Sequence, residues 1–208
     1  MVRALLLTVA TLALLAMPAG AQPDATWVRH HGQGFSVALP QSWADHSRDR
    51  ARLLREVRRL AGDEPQLAAM MDSVLYGASS NIAVKMIAFD LAPSSLRAGF
   101  ATNLNVVTER TTLPLAVWRQ GALRMLNTMD FVVQPIWWRM VKLPAGKAVR
   151  LTYKTRYNVR GKRIVAALTQ YAIMGNGGAY VFTYTTLPRL AARYRETFDR
   201  SARSLRLR

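Results

Sequence analysis

The sequence predicts an α+β fold, an antiparallel sheet covered by helices, and three observations carry that prediction. Residues 148–157, 164–174 and 180–185 are runs rich in β-branched and aromatic side chains, and the connections between them are too short for the dozen-residue crossover that parallel pairing needs. Strand-like runs also come earlier, at 27–31, 35–39, 82–89, 103–108 and 131–143. Segments with apolar residues at helical spacing interrupt and close the series, so amphipathic faces are present to cover the sheet.

Taken in order, 27–31 and 35–39 form a strand pair about a turn holding Gly32 and Gly34, and Pro40 ends the second strand because it lacks a ladder donor. Residues 47–75 read as a helical hairpin broken at 62–65, with Leu53, Val57 and Leu60 on one stripe and Leu67, Met70, Met71 and Val74 on the next. The run at 82–89 is apolar on both alternations, the pattern of a strand buried on both faces. Residues 113–129 are a helix with Pro114 in its first turn and Val117, Leu123 (or Gly121) and Leu126 facing inward. Pro135 places a bulge or a sheet edge in the strand over 131–143. Residues 144–147 and 158–161 are turns, and Pro188 opens a closing helix on which Leu190, Tyr194, Phe198, Ser201 and Leu205 share a face.

The stretch AIMGNGGAYVFTYTT, 172–186, carries Gly175, Gly177 and Gly178 around Asn176. A phosphate-binding loop needs a helix N-terminus after its glycines, to supply free N–H groups and the positive end of the helix dipole. Here the glycines are followed by β-branched and aromatic residues, and Asn-Gly is the pair favoured at the tip of a two-residue hairpin. The stretch therefore predicts a turn between strands.

The N-terminus has one cation, Arg3, an apolar run over 4–17, and the small-residue ending Ala19-Gly20-Ala21. That order is expected of a secretory signal peptide over 1–21, cleaved near Ala21, which would leave 22–208 as a single domain in the periplasm or outside the cell. The apolar run falls short of the roughly 20 residues of a membrane span, and no later segment reaches that length. Cysteine is absent, which excludes disulfides, thiolate metal sites and a thiol nucleophile. Beyond residue 21 there are 28 basic and 12 acidic residues, a formal charge of +16 that favours anionic neighbours. Arginine outnumbers lysine 24 to 5, a bias that base composition and solvated helix faces also produce.

Residue patterns for catalysis are sparse. His30 and His31 are neighbours on a strand and point to opposite faces, so they do not suit one metal, and His46 lies near Asp45 and Asp49 without ligand spacing. No nucleophile-elbow motif occurs, and Asp90, Glu109 and Asp130 lie near strand ends with nothing in the sequence pairing them. No pattern calls for a cofactor or for specific nucleic-acid recognition. The remaining candidates are aromatic: Tyr180, Phe182 and Tyr184 share one face of their strand, and with Trp138 and Arg156 they could contact a ligand or partner if that face is open. Under a covering helix the same row is core.

Five segments together resemble the PsbP-like superfamily: GFSVALPQSW at 34–43, NLNVV at 103–107, AVRLTYKTRYNVRGKRI at 148–164, QYAIMGNGGAYVFTYTT at 170–186 and YRETFDRSARSLRL at 194–207. The resemblance spans most of the chain after residue 21. It implies an α/β/α sandwich with a central antiparallel sheet, and a non-enzymatic role in binding or stabilising a larger assembly. The hairpin at 47–75 is longer than the family's usual element, and Trp137-Trp138 matches no family hallmark. The matched positions specify fold, so no functional residue is carried over. The expectation is an exported accessory protein whose partner is an envelope protein or an anionic surface. A small-ligand carrier with an aromatic pocket is the alternative, and a hydrolase without a recognisable motif a third.

Overall fold

The computed structural model describes residues 26–47, 81–96, 100–159 and 162–208. The expected signal peptide, nearly all of the expected helical hairpin and the tip of the expected turn at 158–161 lie outside the described residues.

A seven-stranded sheet dominates. Its strands are β3 (Trp43–Asp45), β4 (Ile82–Asp90), β5 (Asn103–Glu109), β6 (Val132–Leu143), β7 (Gly146–Val159), β8 (Lys162–Gly175) and β9 (Gly178–Thr186). They run in the order β3-β4-β5-β9-β8-β7-β6, and every neighbouring pair is antiparallel. A second sheet holds β1 (Trp27–Gly32), β2 (Phe35–Pro40) and β10 (Arg206–Leu207) in the order β1-β2-β10. Among the described residues the helices are α1 (Pro93–Leu96), α2 (Leu115–Asn127) and α3 (Ala191–Arg203), the last preceded by a 3-10 turn at Pro188–Leu190. The α+β class and the central antiparallel sheet agree with the sequence reading; the short strands β3 and β10 were not foreseen.

Alternation along the strands splits the core in two. On one face, Tyr180, Phe182 and Tyr184 of β9 pack with Tyr171 of β8 and Leu104 and Val106 of β5. Phe35, Val37 and Leu39 of β2, and Tyr194, Phe198 and Ala202 of α3, close over them. On the other face, Trp118, Ala122 and Leu126 of α2 cover Val149 and Leu151 of β7, Ala172 of β8 and Val181 of β9. The inward stripe of α2 differs from the expected one: Val117 is exposed, and the buried positions are 118, 122 and 126. The indole Nε1 of Trp118 donates a 2.8 Å hydrogen bond to Glu109 Oε2, which holds that side of the helix against the sheet.

Asn176-Gly177 forms the tip of the β8–β9 hairpin, with Gly175 opposite Gly178. Strand β6 is an edge strand, and its register on β7 shifts between Val133 and Trp137, on either side of Pro135. Both consequences expected of that proline are present.

Candidate binding groove beside an edge strand

The aromatic row does not form a binding face. Phe182 and Tyr184 are fully buried and Tyr180 is 8% exposed. Phe35 meets Phe182 edge-on at 5.4 Å, and Tyr184 stacks on Phe198 of α3 at 4.8 Å. Tyr184 OH donates to Ser201 Oγ at 2.9 Å, and burial in this apolar layer pushes its phenol well above the ordinary range. The expectation of ligand contact at Tyr180, Phe182 and Tyr184 is therefore corrected. Burying three large aromatic side chains under an amphipathic helix is worth more than leaving them in water, and β2 and α3 supply the cover.

The sheet extends beyond that cover. Toward β6, between the sheet and one side of α3, lies a groove of about 700 Å³. Its lining includes Thr152 of β7 and Thr169 of β8, which face each other across the strand pair, and Ala167, which lies opposite Lys154. These short side chains leave room above the sheet. Arg139, Arg150, Lys154 and Arg195 also line it, and among the described residues Asp199 is the one carboxylate in the lining. Asp199 is already engaged: it accepts a hydrogen bond from Tyr171 OH, and Arg150 Nη2 lies 3.5 Å from its Oδ1. Burial, then the hydrogen bond to Asp199, raises the Tyr171 phenol, which stays a neutral donor there. One carboxylate shared with one of four cations leaves a net positive groove.

The tryptophan pair is divided by strand alternation. Trp137 lies opposite Thr152, on the groove side, and is 69% exposed. Trp138 lies opposite Leu151, on the α2 side; it is 45% exposed, and the Arg119 guanidinium sits 4.0 Å above its ring. Arg156 is half-buried and shares the groove face of β7 with Arg150 and Lys154, two residues past Lys154 and outside the groove lining. Of the predicted contact residues, Arg156 thus lies beside the groove and Trp138 on the opposite face of the sheet, while Trp137, Arg139, Lys154 and Arg195 build the groove. Alternating Arg150, Thr152 and Lys154 was the visible signal in the sequence; the reach of α3 was not.

Of the residues considered for chemistry, Asp90, Glu109, His31 and His46 have structural partners. Asp90 accepts from Ser42 Oγ at 2.8 Å and from Tyr194 OH at 2.6 Å, and the Tyr194 phenol is pushed up to about 12 by burial and then by the Asp90 charge. Glu109 sits at the opposite end of the β4–β5 pair, about 20 Å away by strand rise, so these two carboxylates do not share a cleft. His46 packs edge-on to Phe89, and His31 Nδ1 lies 3.0 Å from Arg208. Among the described residues no three His, Asp or Glu side chains converge on a point that would hold a metal ion. A second, more open groove of about 1140 Å³ lies by the hairpin glycines and the start of α2, with Arg110 and Lys147 in its lining.

Among the described residues no helix is long and apolar enough to cross a membrane. No protein-family model matches the chain, and no curated protein matches it in sequence. Among solved structures it is similar to cyanobacterial PsbP from Synechocystis, with a TM-score of 0.45 and 14% identity over 92% of this chain and 98% of that one. It is also similar to LpqN, involved in cell envelope biogenesis of Mycobacterium tuberculosis, with a TM-score of 0.47 and 12% identity over 88% and 90% of the two chains. A Pseudomonas aeruginosa protein of unknown function is similar with a TM-score of 0.42 and 18% identity, over 52% of this chain and 74% of that one.

Proposed function

We propose that this protein is an exported, non-enzymatic binding or accessory domain of the PsbP-like type, a single α/β/α sandwich that engages an anionic partner of the cell envelope or extracellular space. The observation that carries this reading is the groove between β6 and α3. Arg139, Arg150, Lys154 and Arg195 surround a floor of Thr and Ala, with Trp137 standing beside it and one carboxylate already engaged. A cleft lined by one sign of charge focuses field lines and attracts the opposite sign, and the formal charge of +16 beyond residue 21 adds to that attraction. The N-terminal pattern supports export, and the five family-like segments support the accessory role. The burial of Tyr180, Phe182 and Tyr184 weighs against the carrier alternative.

Binding of the purified chain to polyglutamate tests the reading. Affinity is expected to fall steeply between low and moderate salt, because surface charge pairs are screened within about 10 Å at 0.1 M ionic strength. The double variant Lys154→Glu/Arg195→Glu is expected to lower it about tenfold or more, because opposed charges in a groove become like charges. Both side chains line the groove and leave the core untouched. Binding that ignores salt, or a charge-reversed variant that binds as well as the parent, overturns the proposal.

A further inference from the structure

Strand β6 combines three features that sheet edges usually avoid together. Among the described residues its outer edge has no strand beside it, since β6 ends the seven-strand order. Pro135 and the register shift interrupt only its first half, and seven residues from Trp137 to Leu143 then pair with β7 without a break. Along those seven, Trp137, Trp138 and Met140 are 69%, 45% and 46% exposed, so three of the large apolar side chains left in water stand within four residues of one edge. Natural edges are blunted by proline, bulges, shortness or charge, and an open apolar edge is a template for another strand.

The two faces of this edge differ in chemistry. Trp137 and Arg139 point to the groove side, where Arg150, Lys154 and Arg195 add positive charge. Trp138 and Met140 point to the α2 side, where Met140 and Leu113 line the second groove. We infer that the anionic partner of the groove is an extended polypeptide that adds as an eighth strand along Trp137–Leu143, with acidic side chains on its groove face and apolar side chains on its α2 face. This deepens the proposed function and rests on its reading of the groove as an anion site. Backbone pairing would supply affinity, and the period-two alternation of charge and apolarity would supply selectivity. A second copy of this chain is the less suited occupant: pairing β6 with itself would bring two sets of Arg139 and Lys142 together on chains of +17.

The test uses the full chain and three peptides of about eight residues, the length of an ordinary strand. One alternates aspartate with valine, the second has the same composition in two blocks, and the third is the alternating peptide N-methylated at every peptide nitrogen. Fluorescence polarisation is expected to show the alternating peptide binding about tenfold more tightly than the other two, the scale of one hot-spot contact. Backbone amides of 137–143 are expected to gain hydrogen-exchange protection on its binding. Met140→Ser is expected to weaken the alternating peptide and leave polyglutamate binding unchanged. Equal binding of all three peptides, or no added protection at 137–143, overturns strand addition. If polyglutamate still binds in that case, the anionic reading of the groove stands; if it does not, both fall.

Discussion

Gly178 and Gly177 are neighbours at one hairpin with opposite demands. A Cβ on Gly178 would stand 1.9 Å from the backbone oxygen of Glu109, at φ +147°, whereas Gly177, at φ +88°, has no atom within 4 Å of where its Cβ would be. Gly178→Ala must therefore push β9 away from the end of β5, and it is expected to destabilise the protein by about 3 kcal/mol or more. Gly177→Ala meets only the backbone penalty for a left-handed L-residue and should cost about 1 kcal/mol. Urea midpoints of the two variants decide the matter, and equal shifts would contradict the close approach. The turn itself was legible from Asn176-Gly177, because the pair is read locally. The contact with Glu109 was not, since the two residues are 69 positions apart in the chain.

Individual side chains also show where alternation suffices and where it does not. That Trp137 and Trp138 face opposite ways follows from strand period alone. Which of them lines a groove depends on α3, whose Ala191, Ala192 and Arg195 form the far wall. The same dependence buried Tyr180, Phe182 and Tyr184, whose shared face was correctly read but whose cover comes from α3 and β2.

At the scale of elements, α2 is set by a single polar bond as much as by its apolar stripe. Periodicity allowed an inward face at Val117 or one residue later, because both registers carry apolar residues at helical spacing. Trp118 fills the buried position, and its indole meets Glu109 on β5. Trp118→Phe keeps an aromatic ring while removing the donor to a buried carboxylate. It is expected to cost about 2–3 kcal/mol, near the upper end for a hydrogen bond to a charged group. A lower urea midpoint with an unchanged denaturant slope would show this, and an unchanged midpoint would refute it. Helix α3 is fixed in a similar way: Ser201 Oγ donates to Ala38 O, and Ser204 Oγ accepts from Ala38 N, so the helix is tied to the second sheet at one residue. Such ties between distant segments leave no local pattern to read.

For the whole molecule, burial sets the pH dependence. His30 has its pKa lowered from 6.5, first by desolvation, with Asp45 opposing the shift and His31 adding to it. The folded chain therefore binds fewer protons at His30 than the unfolded chain does below about pH 6.5, and stability must fall as pH drops through that range. His30→Gln is expected to flatten this part of the stability curve, measured as urea midpoints between pH 7 and pH 5, which bracket the ordinary histidine value of 6.5. An undiminished slope in the variant would assign the effect elsewhere. At the alkaline end Tyr194 acts with the opposite sign, since its phenol is raised to about 12 and its stabilising contribution is lost as pH climbs through that value.

Strand and helix order, the antiparallel pairing, the hairpin at Asn176-Gly177 and the edge or bulge at Pro135 were all set locally, by turn chemistry, hydrophobic period and the missing proline donor. The site depends on contacts that are remote in sequence. Helix α3 covers the aromatic centre of the sheet with one side and walls the groove at Thr152 and Thr169 with Ala191, Ala192, Arg195 and Asp199, so the same sheet face is core at β9 and an open basic groove toward β6. Where a covering helix lies across a sheet is a packing outcome between segments remote in the chain, and it made Trp137, Arg139, Lys154 and Arg195 neighbours.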